Sequence, residues 1–312
     1  MSMKLLAQGL GFVEGPVVLD DGSVLVVQVD AGNLLRVFAD GRVQTVACIG
    51  GGPAGAALGP DGGCYIANTG GFNWHRRKDG TLHPGLAAKD HRGGRIERVD
   101  LATGDVKTLY TETDKGPLRA PDDLVFDGAG GFWFTDLGLF RERGSEHGGV
   151  YYARADGSAI REAVFPMMTA NGIGLSPDGA TLYVAETVTG RLWAFELGAP
   201  GEIVRRKGYP NGGRLVIGFP GYEMLDSLAV EADGNICVAT MHRGCISVVS
   251  PDGRLLEQVK TPDPANSNIA FGGPDLRTAY VTLSSTGGLA VFDWPRAGLA
   301  LHWRDRAASF LE

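Results

Sequence analysis

Only four of the 312 residues are cysteine, and Cys48, Cys64, Cys237 and Cys245 form no CxxC pair and have no histidine beside them. That rules out a zinc site recognisable by spacing and a dense disulfide scaffold. Reduced, mostly buried thiols in a cytoplasmic protein are expected instead. Basic charge is also sparse. Lys and Arg number 29 against 36 Asp and Glu, the net charge is −7, and the longest basic cluster is "HRRK" at 75–78. A chain of this balance, without a basic stripe, is not expected to bind nucleic acid. No apolar run approaches the roughly 20 residues of a membrane helix. The opening "MSMKLLAQGLGF" lacks the apolar stretch of a signal peptide. No membrane partner is expected. A Ser-His-Asp or Cys-His pattern in a recognisable context is missing as well, so no side-chain nucleophile is in view.

Glycine, by contrast, is abundant. The 48 glycines are about twice the usual share of roughly 7%, and they are spread along the chain as turn residues. Six segments share one grammar: a short apolar run, a turn centred on Asp or Gly, and a second short apolar run. They are "EGPVVLDDGSVLVVQ" (14–28), "AGAALGPDGGCYIAN" (54–68), "DDLVFDGAGGFWFTD" (122–136), "NGIGLSPDGATLYVAE" (171–186), "DSLAVEADGNICVAT" (226–240) and "NIAFGGPDLRTAYVTL" (268–283). Runs of four to six Val, Ile, Leu, Phe, Tyr or Ala suit strands, and Asp-Gly or Gly-Gly between them suits a hairpin. Third strands follow several repeats, as in "NLLRVFADG" (33–41) and "RLWAFELG" (191–198). Four-stranded blades of about 40–50 residues then account for nearly the whole chain. The fold class is all-β: a six-bladed β-propeller, one domain over 1–312. Ring closure is expected from residues 3–10 and 299–310, which would protect the edges of the terminal blade.

Aligned on their turns, the repeats isolate one column: Glu14, Ala54, Asp122, Asn171, Asp226 and Asn268. Five of the six carry a carboxylate or amide where strand propensity would not choose one. Asx residues also begin strands by bonding local backbone, but five in phase across distant repeats point to a shared purpose. The inner strands of a propeller line its channel, so these groups converge at one mouth. A ring of such oxygens repels itself unless a cation sits within it. Oxygen donors favour Ca2+ or Mg2+, with Mn2+, Zn2+ or Fe2+ also compatible. A second column, Gln28, Asn68, Asp136, Glu186, Thr240 and Leu283, closes the second strands near the same mouth. It is read as a supporting or substrate-contact layer, with Asn68 its chief substrate candidate.

"EGP" at 14–16, "PDDLVFDGAGGFWFTD" at 121–136, "NGIGLSPDGATLYVAET" at 171–187 and "DSLAVEADGN" at 226–235 resemble the gluconolactonase/regucalcin (senescence marker protein) family over essentially the full chain. The resemblance implies a six-bladed propeller with one divalent metal in its channel, Ca2+ first, and hydrolysis of a lactone. It also implies metal ligands at Glu14, Asn171 and Asp226. Where the family commonly has a "PND" motif, this chain reads Pro121-Asp122-Asp123. Asp122 is therefore a fourth metal ligand, a base or a supporting group. An extra carboxylate there would tighten the hold on a cation and disfavour an anionic substrate. The family's use of the later Asp makes Asp226 the first candidate for the base that activates water, with Asp122 second.

Loops at the mouth should select the substrate. The segment 69–94 offers Trp74 and His75 as an aromatic lid, 137–149 offers His147 as a wall, and Asn268 is a further substrate contact. The leading expectation is a metal-dependent lactonase acting on a small lactone. The alternatives are a non-catalytic propeller with a structural metal, and a related enzyme acting on phosphoesters or by ring-opening elimination.

Overall fold

The computed structural model describes residues 3–306, and among them there is no α-helix; a single turn of 3-10 helix occupies 304–306. Six antiparallel sheets form the blades of a propeller, five of four strands and one of five, in which Ile203–Val204 and Arg214–Gly218 both pair with Arg191–Leu197. Their innermost strands are Val13–Val18, Pro53–Leu58, Pro121–Phe126, Ala170–Leu175, Met224–Val230 and Asn266–Gly272, of blades I to VI in turn. In blade VI the outermost strand is Lys4–Gln8, which pairs antiparallel with Gly288–Asp293, so the first described strand lies beside the last. Residues 299–306 form no strand. The remainder of the expected closing segment, 307–310, lies outside the described residues.

Successive side chains of a strand face opposite ways, and here both faces are buried. Leu25 and Val27 pack toward blade II with Leu58 and Ile66, while Val24 and Val26 pack toward blade VI with Tyr280 and Leu289. This explains why the strands read as unbroken apolar runs such as "VLVV" rather than as alternating sequence. Each junction between consecutive blades has its own apolar cluster.

Among the described residues three hairpins interrupt this regularity. Blade II sends out Phe72–Arg76 and Leu82–Ala87, the link from blade II to blade III folds Glu112–Thr113 onto Gly116–Pro117, and blade III sends out Leu139–Arg141 and Gly144–Glu146. Among the described residues, no helix is long and apolar enough to cross a membrane. All four cysteines are free, with Cys48 exposed and the other three buried.

Candidate functional site

Every innermost strand breaks register with its neighbour near its start. The shifts fall between Glu14 and Val17, Pro53 and Gly55, Pro121 and Leu124, Ala170 and Ile173, Leu225 and Leu228, and Asn266 and Asn268. A bulge re-aims a side chain that regular pleating would send between the blades. Each column residue lies in or at the edge of such a bulge, so six breaks turn six side chains toward one axis.

The bulges also press on one another. Gly15 has φ +54°, and a Cβ there would stand 2.8 Å from Ala54 O and Ala56 N of blade II. At Gly172 a Cβ would stand 2.5 Å from Asp226 O of blade V. The small residue after each ligand-type residue in "EGP" and "NG" is thus required by backbone approach.

Glu14, Asp122, Asp123, Asn171, Asp226 and Asn268 are all buried, with 5–8% of their surface exposed. Asn268 Nδ2 donates to Glu14 Oε2 at 3.4 Å, the Asn171 amide bonds Asp226, and Ser267 bonds Glu14. Asp226 also accepts from Ser227 N at 3.1 Å, and Asp123 from Leu124 N at 2.8 Å.

The electrostatics are those of crowded anions. Burial, followed by the nearby Asp226, Asp122 and Asp123 charges, holds Glu14 well above the usual carboxylate range. Burial and then Asp226, Asp123 and Asp136 do the same to Asp122. Asp123 and Asp226 are each pushed up to about 7, chiefly by burial. Among the described residues, no Lys, Arg or His forms an ion pair with any of the four. Asn171 Oδ1 is buried with no hydrogen-bond donor. An orphaned amide oxygen beside uncompensated carboxylates fits a hard divalent cation, which takes oxygen donors of both kinds. No group of three His, Cys, Asp or Glu among the described residues is itself spaced as a metal cage, so the fit depends on the amide.

The second column proves to be bracing. Asn68 is fully buried, and its four hydrogen-bonding positions are spent on Gly52 N, Gly70 N, Gly50 O and Glu97 Oε2, at 2.8–3.0 Å. It has nothing left for a substrate, so the expected substrate contact is corrected to a strut. Asp136 likewise accepts from Arg119 N, Ala120 N and Gly138 N. Glu186 accepts from Met168 N, Thr189 Oγ1 and Trp193 Nε1. In blade VI this work falls to Asp263, which accepts from Ala265 N, Ser285 Oγ and Thr286. Leu283 instead packs in an apolar cluster.

The hairpin 72–87 reaches across to blade VI, where Leu82 N donates to Ser285 O at 2.9 Å. Trp74 pins it there, with ring centroids 5.1 Å from Phe12 and 6.3 Å from Phe72. His75 is exposed against the backbone at Gly85. His147 is exposed too, edge-on to Phe165 at 6.5 Å. Neither histidine belongs to the carboxylate cluster. Asp123 does, and column counting missed it. The signal was the doubled acid of "PDDLVF".

Fold and site together define a six-bladed propeller whose channel carries a buried cluster of carboxylates and amides set in strand bulges. The chain belongs to the SMP-30/gluconolactonase/LRE-like family, whose model matches residues 12–285. Among similar proteins, lactonase drp35 of Staphylococcus haemolyticus is 29% identical over 262 residues, covering 83% of this chain and 72% of that protein. Lactonase drp35 of Staphylococcus epidermidis is 30% identical over 245 residues, covering 78% and 67%. Similar solved structures include a gluconolactonase from Xanthomonas campestris, with a TM-score of 0.73 and 21% identity over 94% of this chain and 89% of that one. A calcium-binding regucalcin from Agrobacterium tumefaciens has a TM-score of 0.73 and 20% identity over 96% and 95%.

Proposed function

We propose that the chain hydrolyses a small, uncharged lactone, with one divalent cation, Ca2+ first, held by Glu14, Asn171 and Asp226 and flanked by Asp122. The observation that carries this reading is the cluster of four buried carboxylates without a cationic partner, beside the orphaned Asn171 Oδ1. The lactonase and gluconolactonase names of its relatives support the reaction, and the calcium-binding regucalcin supports the ion.

When bound, the cation supplies a Lewis acid that polarises the ester carbonyl and steadies the charge developing on its oxygen. Asp226 accepts a proton from water at its carboxylate. The water oxygen bonds to the carbonyl carbon, the ring C–O bond breaks, and the proton passes to the departing ring oxygen, which leaves as a hydroxyl. One carboxylate that takes the proton from water and returns it to the leaving oxygen serves both transfers. Asn268 holds the Glu14 carboxylate in place through its amide. Ala54 carries no ligating group and leaves the blade II side of the mouth open to substrate. Surplus negative charge at the site selects against anionic substrates.

The test is a pH-stat screen of a lactone panel against chelated and metal-reloaded protein. Turnover should return with the metal, and Asp226→Asn should lower kcat by about 10^2–10^4-fold. Tight metal binding without turnover on any ester would overturn the proposal.

A further inference from the structure

Beneath the bulges the channel opens into a chamber of 560 Å3. Gly15, Asp123 and Asn268 form its roof. Past each bulge the inner strands become apolar, so the walls are built from Val17, Leu58, Leu124, Leu175, Leu228 and Phe271. The floor is a strap made by 299–304. Its start is fixed to blades V and VI, where Gly298 N donates to Leu276 O and Leu299 N to Val230 O, each at 2.8 Å. Its far end reaches blade III, where Trp303 Nε1 donates to Asp127 O at 3.1 Å and the ring packs beside the junction of blades II and III. Arg304 Nη2 meets Asp20 of blade I at 3.5 Å, in a half-exposed pair of the kind that contributes little. Between these anchors Leu301 is 56% exposed.

We infer that this chamber is a second binding site, sharing only the roof residues Asp123 and Asn268 with the carboxylate cluster, for one uncharged and mainly hydrocarbon small molecule. Volume and enclosure match a small-molecule pocket, since such sites occupy roughly 300–1,000 Å3. Water in an apolar-walled space finds few partners, and hydrocarbon gains by replacing it. Apart from Asp123 in the roof, the Asp and Arg side chains that line it are already paired, Arg304 with Asp20 and Asp21 with Arg36, so the apolar walls leave a carboxylate or ammonium carried inside largely uncompensated. The polar roof closes the chamber to an apolar molecule from above, so entry is from the strap side. The weak outer anchors, Trp303 and Arg304, are the ones that give way.

The test is a fluorescence titration of the full chain with uncharged N-phenyl-1-naphthylamine, followed by competition with 1-decanol. Saturable one-to-one binding, displaced by 1-decanol and unaffected by chelation, is the expected result. Ala57→Phe and Ala229→Phe each fill part of the chamber and should weaken binding at least about tenfold, with folding checked by circular dichroism and thermal melts. No saturable binding to the unaltered chain would overturn the inference. Undiminished binding in whichever variants fold would also overturn it. So would binding that arises only after deletion of 307–312, because the chain's own end would then be the occupant.

Discussion

Removing the cation should make the protein's stability fall as pH rises through the weakly acidic range. Asp123 and Asp226 sit near 7 in the folded chain against an ordinary 3.8. A carboxyl with a raised folded pKa keeps its proton in the fold and loses it on unfolding. Its stabilising contribution is therefore full below the unfolded value and is lost as pH climbs toward the folded one. At about 1.4 kcal/mol per pH unit, each group loses roughly 3 kcal/mol between pH 5 and 7.5. The two together lose about twice that, since a neighbour held protonated by the first ionisation goes on losing stability as pH rises. A combined loss of about 5–6 kcal/mol corresponds to a Tm drop of about 10–12 °C at roughly 2 °C per kcal/mol. Saturating Ca2+ should reverse the drop, adding about 2.7 kcal/mol at 100 times Kd, and should act more strongly at pH 7.5, where protons no longer compete for the ligands. Differential scanning calorimetry of chelated and loaded protein at the two pH values measures both effects. Asp123→Asn should reduce the pH slope of the chelated protein. A chelated protein equally stable at pH 5 and 7.5, or a Ca2+ gain that ignores pH, would refute the account of the site as crowded anions awaiting a cation.

Three further outcomes follow from particular contacts. Asn68→Ala should lower stability by about 2–3 kcal/mol, because Glu97 and three backbone groups lose a buried partner. KM should not change, and a raised KM would restore Asn68 as a substrate contact. Glu231→Gln should cost about 1–3 kcal/mol in urea unfolding with activity per folded molecule unchanged. That carboxylate is fully buried among Trp294 Nε1, Arg296 Nε and Asn235 Nδ2, and the change leaves Arg296 with Glu257 as its one carboxylate partner. Gly15→Ala should abolish Ca2+-dependent stabilisation, since the new methyl group collides with Ala54 O and Ala56 N; a Ca2+ shift in Tm like that of the unaltered chain would show the bulge to be dispensable.

The column of Glu14, Asp122, Asn171, Asp226 and Asn268 was legible because turn and bulge keep a constant separation in every blade, and a constant separation survives as spacing in the sequence. The bulges themselves were not legible, since nothing in "DSLAV" or "NGIGL" states how many residues oppose one on the next strand. That omission hid Asp123, whose place beside Asp122 in a bulge brings two successive carboxyls to the cluster where regular pleating would send them to opposite faces. It also hid what the second column does. Asn68 and Glu186 end strands that must meet loops, and orphaned loop amides demand acceptors there whatever the substrate is. Asp263 does the same work from a loop, outside any repeat, and only the folded chain brings it to Ser285 and Thr286.

These two columns divide the labour of the channel mouth in a way that explains the composition of each. The outer one is saturated: its carboxylates and amides are met by backbone N–H groups and neighbouring side chains, so they need no metal and hold the loops still. The inner one is starved of donors, with Asn171 Oδ1 unpaired and four carboxylates sharing few hydrogen-bond donors. Starvation of this kind is costly in an empty site and would be relieved by a cation, so on the proposed function the inner ring, unlike the outer, couples folding stability to metal. Substitutions that add a donor to the inner ring, such as Asp226→Asn, should therefore raise the melting temperature of the chelated protein even as they lower kcat. A chelated Asp226→Asn protein that melts below the unaltered chain at pH 7.5 would contradict that division.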